Sequence, residues 1–155
     1  MVEDPAYHTR VWLEARAGAQ TRAAERVPVP DWFMREVLEP VLGDLQQPRP
    51  VDVIVELEPR DHVDLVWFSE RGQLGSFGLG LPDPTTPRDA LLAQWADQLQ
   101  EQFFPETHGA WGEARPECPG HPHPAQAIER DGEAWWVCPA DGRSLARIGH
   151  LSRVL

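Results

Sequence analysis

Alternating apolar and polar positions in the middle of the chain predict three β-strands. Residues 51–58 place apolar side chains at every second position, with Asp52, Glu56 and Glu58 among the residues between them. Residues 63–69 place Val63, Leu65 and Trp67 on one face and Asp64, Val66 and Phe68 on the other. Residues 73–81 continue the pattern with three glycines, which favours bulges or close packing. The short turns between these segments predict an antiparallel meander.

Apolar residues at helical spacing flank this meander and predict two helices. The first begins after an N-cap at Asp31 and extends to about residue 45, with a kink or a break expected near Glu39 because Pro40 follows. The second begins with Thr86 as the cap and Pro87 as the first helical residue, and should end by Phe104. Residues 9–17 alternate as well and are a further candidate strand.

These elements predict an α+β fold divided into two domains. Residues 1–106 are expected to form an antiparallel sheet of three or four strands packed on two helices. From residue 107 the composition shifts to Gly, Pro, His and Glu, so residues 107–155 are predicted to form a separate C-terminal module. Within it, Asp131-Gly132 lies between two apolar runs and predicts a β-hairpin, with a third strand at residues 144–150.

The charge of the chain narrows the classes of partner. The 155 residues include 14 basic and 25 acidic side chains, a net charge of −11, and every basic side chain among the 14 is arginine. A chain this acidic repels phosphate, which excludes nucleic acid and anionic membrane surfaces as favoured partners. A protein partner of basic charge is expected instead, and the sequence does not indicate an oligomeric state.

The two cysteines are expected to be reduced. The N-terminal residues lack the basic and apolar regions of a secretory signal, and no run approaches the roughly 20 apolar residues of a membrane span. The expected location is therefore the cytoplasm, where paired cysteines more often bind metal or react than form a disulfide.

Those cysteines lie in two similar motifs near the C-terminus. The first is Cys118-Pro-Gly-His121-Pro-His123 and the second is Cys138-Pro-Ala-Asp141-Gly142. Two potential ligands three residues apart on a tight turn can face one ion, and Pro and Gly favour such a turn. Two buried structural cysteines or a Cys118–Cys138 disulfide are the alternatives, and both are less favoured than a metal site.

Residues 118–142 resemble the zinc ribbon group, in which two Cys-Pro turns are joined by a hairpin. The resemblance covers this last part of the chain and implies a zinc-binding fold element without a specific activity. Zinc ribbons typically carry Cys-Pro-x-Cys-Gly in both turns, whereas His121 and Asp141 occupy the second ligand positions here.

A ligand set follows from the donors that zinc accepts, which are thiolate, imidazole and carboxylate. Cys118, His121 and Cys138 are the predicted first three ligands. His123 is favoured as the fourth because two Cys with two His is the commoner set, and Asp141 would then accept a hydrogen bond that orients an imidazole. Symmetry between the turns favours Asp141 as the fourth ligand instead, and His150 is a weaker alternative.

The functional expectation is a small cytoplasmic protein with a structural zinc site, acting through protein contacts as an interaction module or an inhibitor or immunity-like protein. No catalytic residue and no nucleotide-binding motif is recognised, so a non-enzymatic role is favoured. The alternative is a metal-dependent hydrolase with an open zinc site at His121, His123 and Cys138.

Overall fold

The chain divides into two compact units in the computed structural model, which describes residues 25–151. Among the described residues, the first unit consists of residues 25–29 and Asp52–Leu81, and the second consists of Pro30–Val51 and residues 82–151. The candidate strand at residues 9–17 lies outside the described residues. The predicted domain boundary at residue 106 and the predicted packing of the first sheet on the helices stay predictions.

The first unit contains the predicted antiparallel meander. Its strands are β1 (Val53–Glu58), β2 (Leu65–Glu70) and β3 (Phe77–Gly80), in the order β1-β2-β3. β2 is the central strand, and its first four residues are all buried. The meander is therefore confirmed, although β3 is shorter than the pattern predicts.

The glycines of β3 allow close packing against a tryptophan of β2. A Cβ atom on Gly78 would lie 2.6 Å from the ring of Trp67, so a side chain at this position would collide with the ring. The indole Nε1–H of Trp67 donates a 2.9 Å hydrogen bond to Glu58, and the guanidinium of Arg26 lies 4.8 Å from the ring centroid. The ring of Trp67 on β2 thus packs directly on the backbone of the glycine-rich strand β3.

The second unit begins with helix α1, which is continuous over residues 31–45. It consists of Asp31–Phe33, a π-helical turn at Met34–Leu38, and Glu39–Leu45. The wider π turn places the backbone N–H of Glu39 on the carbonyl of Met34, just before Pro40. This turn accommodates a proline that cannot donate a hydrogen bond. The disturbance expected near Glu39 is therefore a π turn and not a break.

Helix α2 spans Arg88–Gln98 and continues as a π-helical segment, Leu99–Phe103, and a 3₁₀ turn, Phe104–Glu106. Pro87 takes the N-cap position, one residue later than predicted. The ring of Phe33 in α1 packs edge-on against Trp95 of α2, with centroids 4.7 Å apart. The two helices therefore share an apolar contact within the second unit.

A second three-stranded antiparallel sheet follows, in the order β4-β5-β6. The strands are β4 (Gln126–Arg130), β5 (Glu133–Val137) and β6 (Ser144–Arg147). Asp131 and Gly132 form the turn between β4 and β5 with positive φ angles, as the sequence predicts. Helix α2 packs on β4 and β5, and Asp89 in its first turn accepts a 2.8 Å hydrogen bond from the backbone of Ala134. The two helices and two sheets confirm the α+β class.

One buried carboxylate joins α1 to the second sheet. Asp44 is 2% exposed and accepts hydrogen bonds from the indole of Trp136 at 2.8 Å and from the backbone N–H groups of Gly149 at 2.6 Å and Leu151 at 3.1 Å. Burial raises the pKa of Asp44 above its ordinary value, and the three donors act in the opposite direction. The carboxyl therefore satisfies three donors that would otherwise be left without an acceptor.

Replacing Asp44 should destabilise the second unit strongly. We expect Asp44→Ala to lower the free energy of unfolding by about 3 kcal/mol or more, because three buried donors each lose their acceptor at about 1–3 kcal/mol. Urea denaturation followed by circular dichroism measures this change. Glu39→Ala, at an exposed position of the same helix, is the control and should cost less than about 0.5 kcal/mol. Equal stability of the two variants would contradict the assignment.

Candidate metal centre

The first Cys-Pro motif forms a tight turn that brings His121 back toward Cys118. The backbone N–H of His121 donates to the carbonyl of Cys118 at 3.0 Å, which closes a four-residue β-turn. Gly120 has a φ of 78°, a conformation that residues with a Cβ rarely adopt. The sequence Cys-Pro-Gly-His thus has the conformational freedom that this turn requires.

The second Cys-Pro motif begins directly after β5 and forms a longer turn. The N–H of Gly142 donates to the carbonyl of Cys138 at 2.8 Å, and the N–H of Cys138 donates to the carbonyl of Arg143 at 2.8 Å. The hydrogen bond from Gly142 closes a turn of five residues, whereas the hydrogen bond from His121 closes a turn of four residues. The two motifs look alike in sequence but place their fourth residues differently.

Four side chains from these segments converge. The ligand atoms of Cys118, His121, His123 and Cys138 all lie within 4.8 Å of one another, and we call these residues the donor cluster. His121 Nδ1 lies 3.4 Å from the sulfur of Cys118 and 3.4 Å from the sulfur of Cys138. Both cysteines are buried free thiols. The donor cluster could therefore hold a metal ion.

The spacing of the donors can be compared with tetrahedral zinc. Zn–S bonds of about 2.3 Å and Zn–N bonds of about 2.0–2.1 Å place neighbouring S and N ligands about 3.6 Å apart, and two S ligands about 3.8 Å apart. Both S–N separations at His121 are 3.4 Å, and no pair in the donor cluster exceeds 4.8 Å. The widest pair therefore needs to contract by about 1.5 Å at most to match a tetrahedral site, in which two N ligands lie about 3.3 Å apart.

The ring of His123 is oriented as a metal ligand requires. Its Nδ1 lies 3.2 Å from the carbonyl of Pro124, an acceptor, so Nδ1 carries the proton. The other nitrogen, Nε2, is buried and has no hydrogen-bond partner within residues 25–151. The ring stacks on that of His121, with centroids 4.9 Å apart. A buried imidazole lone pair without a donor is therefore available for a metal.

The two cysteines affect each other electrostatically. Burial raises the pKa of the Cys118 thiol, and the hydrogen bond and charge of Cys138 raise it further. The Cys118 thiol therefore loses its proton reluctantly on its own. A divalent cation supplies positive charge that stabilises two thiolates together.

Asp141 has a different place from the one that the symmetry of the motifs suggests. It is exposed, it lies outside the donor cluster, and its Oδ1 accepts a 2.8 Å hydrogen bond from the backbone N–H of Arg143. That bond lowers the pKa of Asp141, and a hydrogen bond from the Cys138 thiol contributes. Asp141 therefore stabilises the turn that follows Cys138. The last candidate ligand, His150, is exposed and is also outside the cluster.

A buried arginine fixes the start of the segment that carries three of the donors. Arg115 is 1% exposed, and its Nη1 donates to the carbonyls of Leu45 at 3.1 Å and Arg49 at 2.7 Å. Its Nη2 donates to the carboxylate of Glu113 at 2.9 Å, and this bond lowers the pKa of Glu113. Sequence reasoning missed Arg115, because nothing in its neighbourhood distinguishes it from a surface arginine.

Acidic residues of the first unit have local partners. Asp52 pairs with Arg71, and Glu58 pairs with Arg60 and with the indole of Trp67. These acidic groups of the first unit belong to local ion pairs and hydrogen bonds. They contribute no ligand to the donor cluster.

Comparison with known proteins gives no relative: no protein family model, curated protein or solved structure matches the chain. None of the helices in residues 25–151 has the length and apolar character needed to cross a membrane. The geometry of the four donor residues alone therefore indicates the metal site.

His123 and Asp141 can be separated as fourth ligands by substitution. We expect His123→Ala to weaken Zn²⁺ or Co²⁺ binding by at least about 100-fold. Residues that only orient a metal ligand typically cost about 10–100-fold in affinity, so a loss of this size indicates a ligand. Asp141→Asn keeps an oxygen for the N–H of Arg143 and should weaken binding by less than about tenfold. Competition with a chromophoric chelator measures both affinities. The reverse order of effects would make Asp141 the ligand.

Proposed function

We propose that the donor cluster binds one zinc ion, that this zinc is structural, and that the protein is a small acidic interaction module. The observation that carries the metal proposal is the convergence of four ligand atoms within 4.8 Å, one of them the unpartnered Nε2 of His123. Two sulfur and two nitrogen donors form a set that suits tetrahedral zinc. A reducing, cytoplasmic setting is part of the proposal because the ligands must be free thiols.

The donor set favours a structural zinc over a catalytic one. Four protein ligands fill the tetrahedral positions, whereas a catalytic zinc keeps one position for water. Two thiolates also donate more charge to the metal than imidazoles do, which weakens it as a Lewis acid. The hydrolase alternative, with an open site at His121, His123 and Cys138, needs Cys118 to stay off the metal, and Cys118 is buried with its sulfur 3.4 Å from His121 Nδ1.

The zinc ribbon resemblance is part of this proposal. The hairpin β4–β5 lies between the two Cys-Pro turns, as the resemblance implies, and the turn at Cys138 leads directly toward β6. The turns differ in length, so the proposed module is ribbon-like and asymmetric. In this proposal, zinc links the segment before β4 to the turn after β5.

An exposed tryptophan supports a role in protein contacts. Trp111 is 70% exposed, and tryptophan is among the residues that contribute most to binding energy in interfaces. It lies in a turn, residues 110–113, that is closed by a 3.0 Å hydrogen bond from the N–H of Glu113 to the carbonyl of Ala110. We call this segment the Trp111 turn.

The Trp111 turn is held in place from both ends. Ala110 is fully buried, and Glu113 forms ion pairs with Arg49 and Arg115. A side chain presented by a fixed turn loses less conformational entropy on binding than one on a loose loop. With a net charge of −11, the chain would attract a basic partner with a pocket for the indole. An inhibitor or immunity-like protein that blocks a basic enzyme or toxin fits this description.

Metal removal tests the structural zinc directly. We expect about one zinc per chain by elemental analysis of protein purified without chelators. Excess chelator should lower the melting temperature by about 10 °C or more, because losing a ligand held at about 1,000 times its Kd costs about 4 kcal/mol. Restored zinc should recover the original value. Protein without bound metal, or an unchanged melting temperature after complete removal, would contradict the proposal.

Substitution of Trp111 tests the interaction proposal. Wild-type protein and the Trp111→Ala variant are immobilised and exposed to cell extract, and the affinity of a captured basic protein is then measured by calorimetry. We expect the variant to bind at least about tenfold more weakly, since loss of an anchoring tryptophan costs about 2 kcal/mol. Leu74→Ala, at a 90% exposed apolar position of the first unit, is the control and should bind as wild type does. Equal binding by Trp111→Ala would contradict the role of Trp111.

A further inference from the structure

A buried glutamine joins the two ends of the segment that carries three of the donors. Gln100 is 8% exposed and lies in the π-helical segment Leu99–Phe103 at the end of α2. Its Nε2 donates to the carbonyl of Arg115 at 2.8 Å and to the carbonyl of Ala125 at 2.6 Å. Both protons of one amide group are therefore used on two backbone carbonyls.

The two carbonyls that Gln100 contacts bracket residues 115–125, which we call the metal loop. Inside the metal loop, the N–H of Ala125 donates to the carbonyl of Pro116 at 2.8 Å, and the N–H of Cys118 donates to the carbonyl of His123 at 2.9 Å. The two arms of the loop are thus paired as in a short hairpin. Gln100 closes the open end of that hairpin and ties it to α2.

We propose that Gln100 is a positioning residue of the metal site. It fixes the metal loop so that Cys118, His121 and His123 are held opposite Cys138 before the ion binds. Gln100 contacts no donor atom, so it acts only through the backbone of the loop. This role rests on the proposed metal binding and adds to it the residue that sets the affinity of the site.

The physical basis is the cost of ordering the ligands. A loop that already holds its donors in place loses little conformational entropy when the metal binds, whereas a loose loop must be ordered by the metal itself. Residues that orient metal ligands without touching the metal typically contribute about 10–100-fold to affinity. The effect of Gln100 should therefore appear in metal affinity beyond any loss of stability.

Another buried residue provides a matched control for stability. Thr107 is 4% exposed, and its hydroxyl donates a 2.7 Å hydrogen bond to the carbonyl of Phe104. Thr107→Val removes a buried hydrogen bond near the end of the same helix without touching the metal loop. Gln94→Met, at an exposed position of α2, controls for the change from amide to thioether.

The test compares Gln100→Met with these controls in the full-length, metal-loaded protein. Zinc affinity is measured by competition with a chromophoric chelator, stability by urea denaturation, and the ligand set by the thiolate charge-transfer bands of the Co²⁺ form. We expect Gln100→Met to weaken zinc binding by about 10–100-fold with unchanged Co²⁺ bands. Thr107→Val should lose stability but keep its affinity, and Gln94→Met should match wild type.

Each other outcome identifies what has failed. The positioning role is overturned if the zinc affinity of Gln100→Met lies within about twofold of wild type. It is also overturned if Thr107→Val loses as much zinc affinity as Gln100→Met does. Metal binding itself stands in both cases. A wild-type protein that binds neither Zn²⁺ nor Co²⁺ overturns the metal site itself. If Gln100→Met does not fold, Gln100→Asn replaces it, since Asn keeps the amide on a shorter side chain. An intermediate affinity supports the role, and wild-type affinity overturns it.

Discussion

The buried carboxylate of Asp44 is the contact on which the second unit depends. It accepts hydrogen bonds from β5 through Trp136 and from the segment after β6 through Gly149 and Leu151, while it is itself part of α1. A buried carboxyl is costly unless such donors surround it, and the donors are costly without it. Because Trp136 lies two residues before Cys138, this contact also sets the position from which the second Cys-Pro turn begins.

The donor cluster is therefore built from two backbone segments, each fixed by a buried polar side chain. Asp44 fixes the end of β5, and Gln100 and Arg115 fix the metal loop. These contacts involve no donor atom.

The sequence predicts those features that depend on neighbouring residues. Alternation predicted the meander, and Asp131-Gly132 predicted the hairpin β4–β5, because strand faces and turn types are decided over a few residues. The donor types were also visible in the two Cys-Pro motifs. Pro40 correctly predicted an irregularity in α1 near Glu39. A proline in the sequence does not distinguish a π turn from a break in the helix.

Contacts between distant parts of the chain were not predictable from one sequence. Asp44 and Arg115 look like ordinary surface residues in their own segments, and their partners lie up to 107 and 70 positions away. The similarity of the two motifs suggested that Asp141 mirrors His121. In the structure, a hydrogen bond to the carbonyl of Cys118 closes a turn of four residues, and a hydrogen bond to the carbonyl of Cys138 closes a turn of five residues. His121 and Asp141 therefore lie in turns of different length, and the residue pattern does not distinguish the two.

The charges of the proposed site agree with a structural role for the metal. Zinc with two thiolates and two neutral imidazoles has a formal charge of zero, equal to that of the metal-free site with two neutral thiols. In the proposed site, binding of Zn²⁺ would release the two thiol protons to solvent and so would leave the net charge of −11 unchanged. An acidic module of this kind would present the same electrostatic surface with or without its metal, so zinc would act on a basic partner only through the order that it imposes on the metal loop.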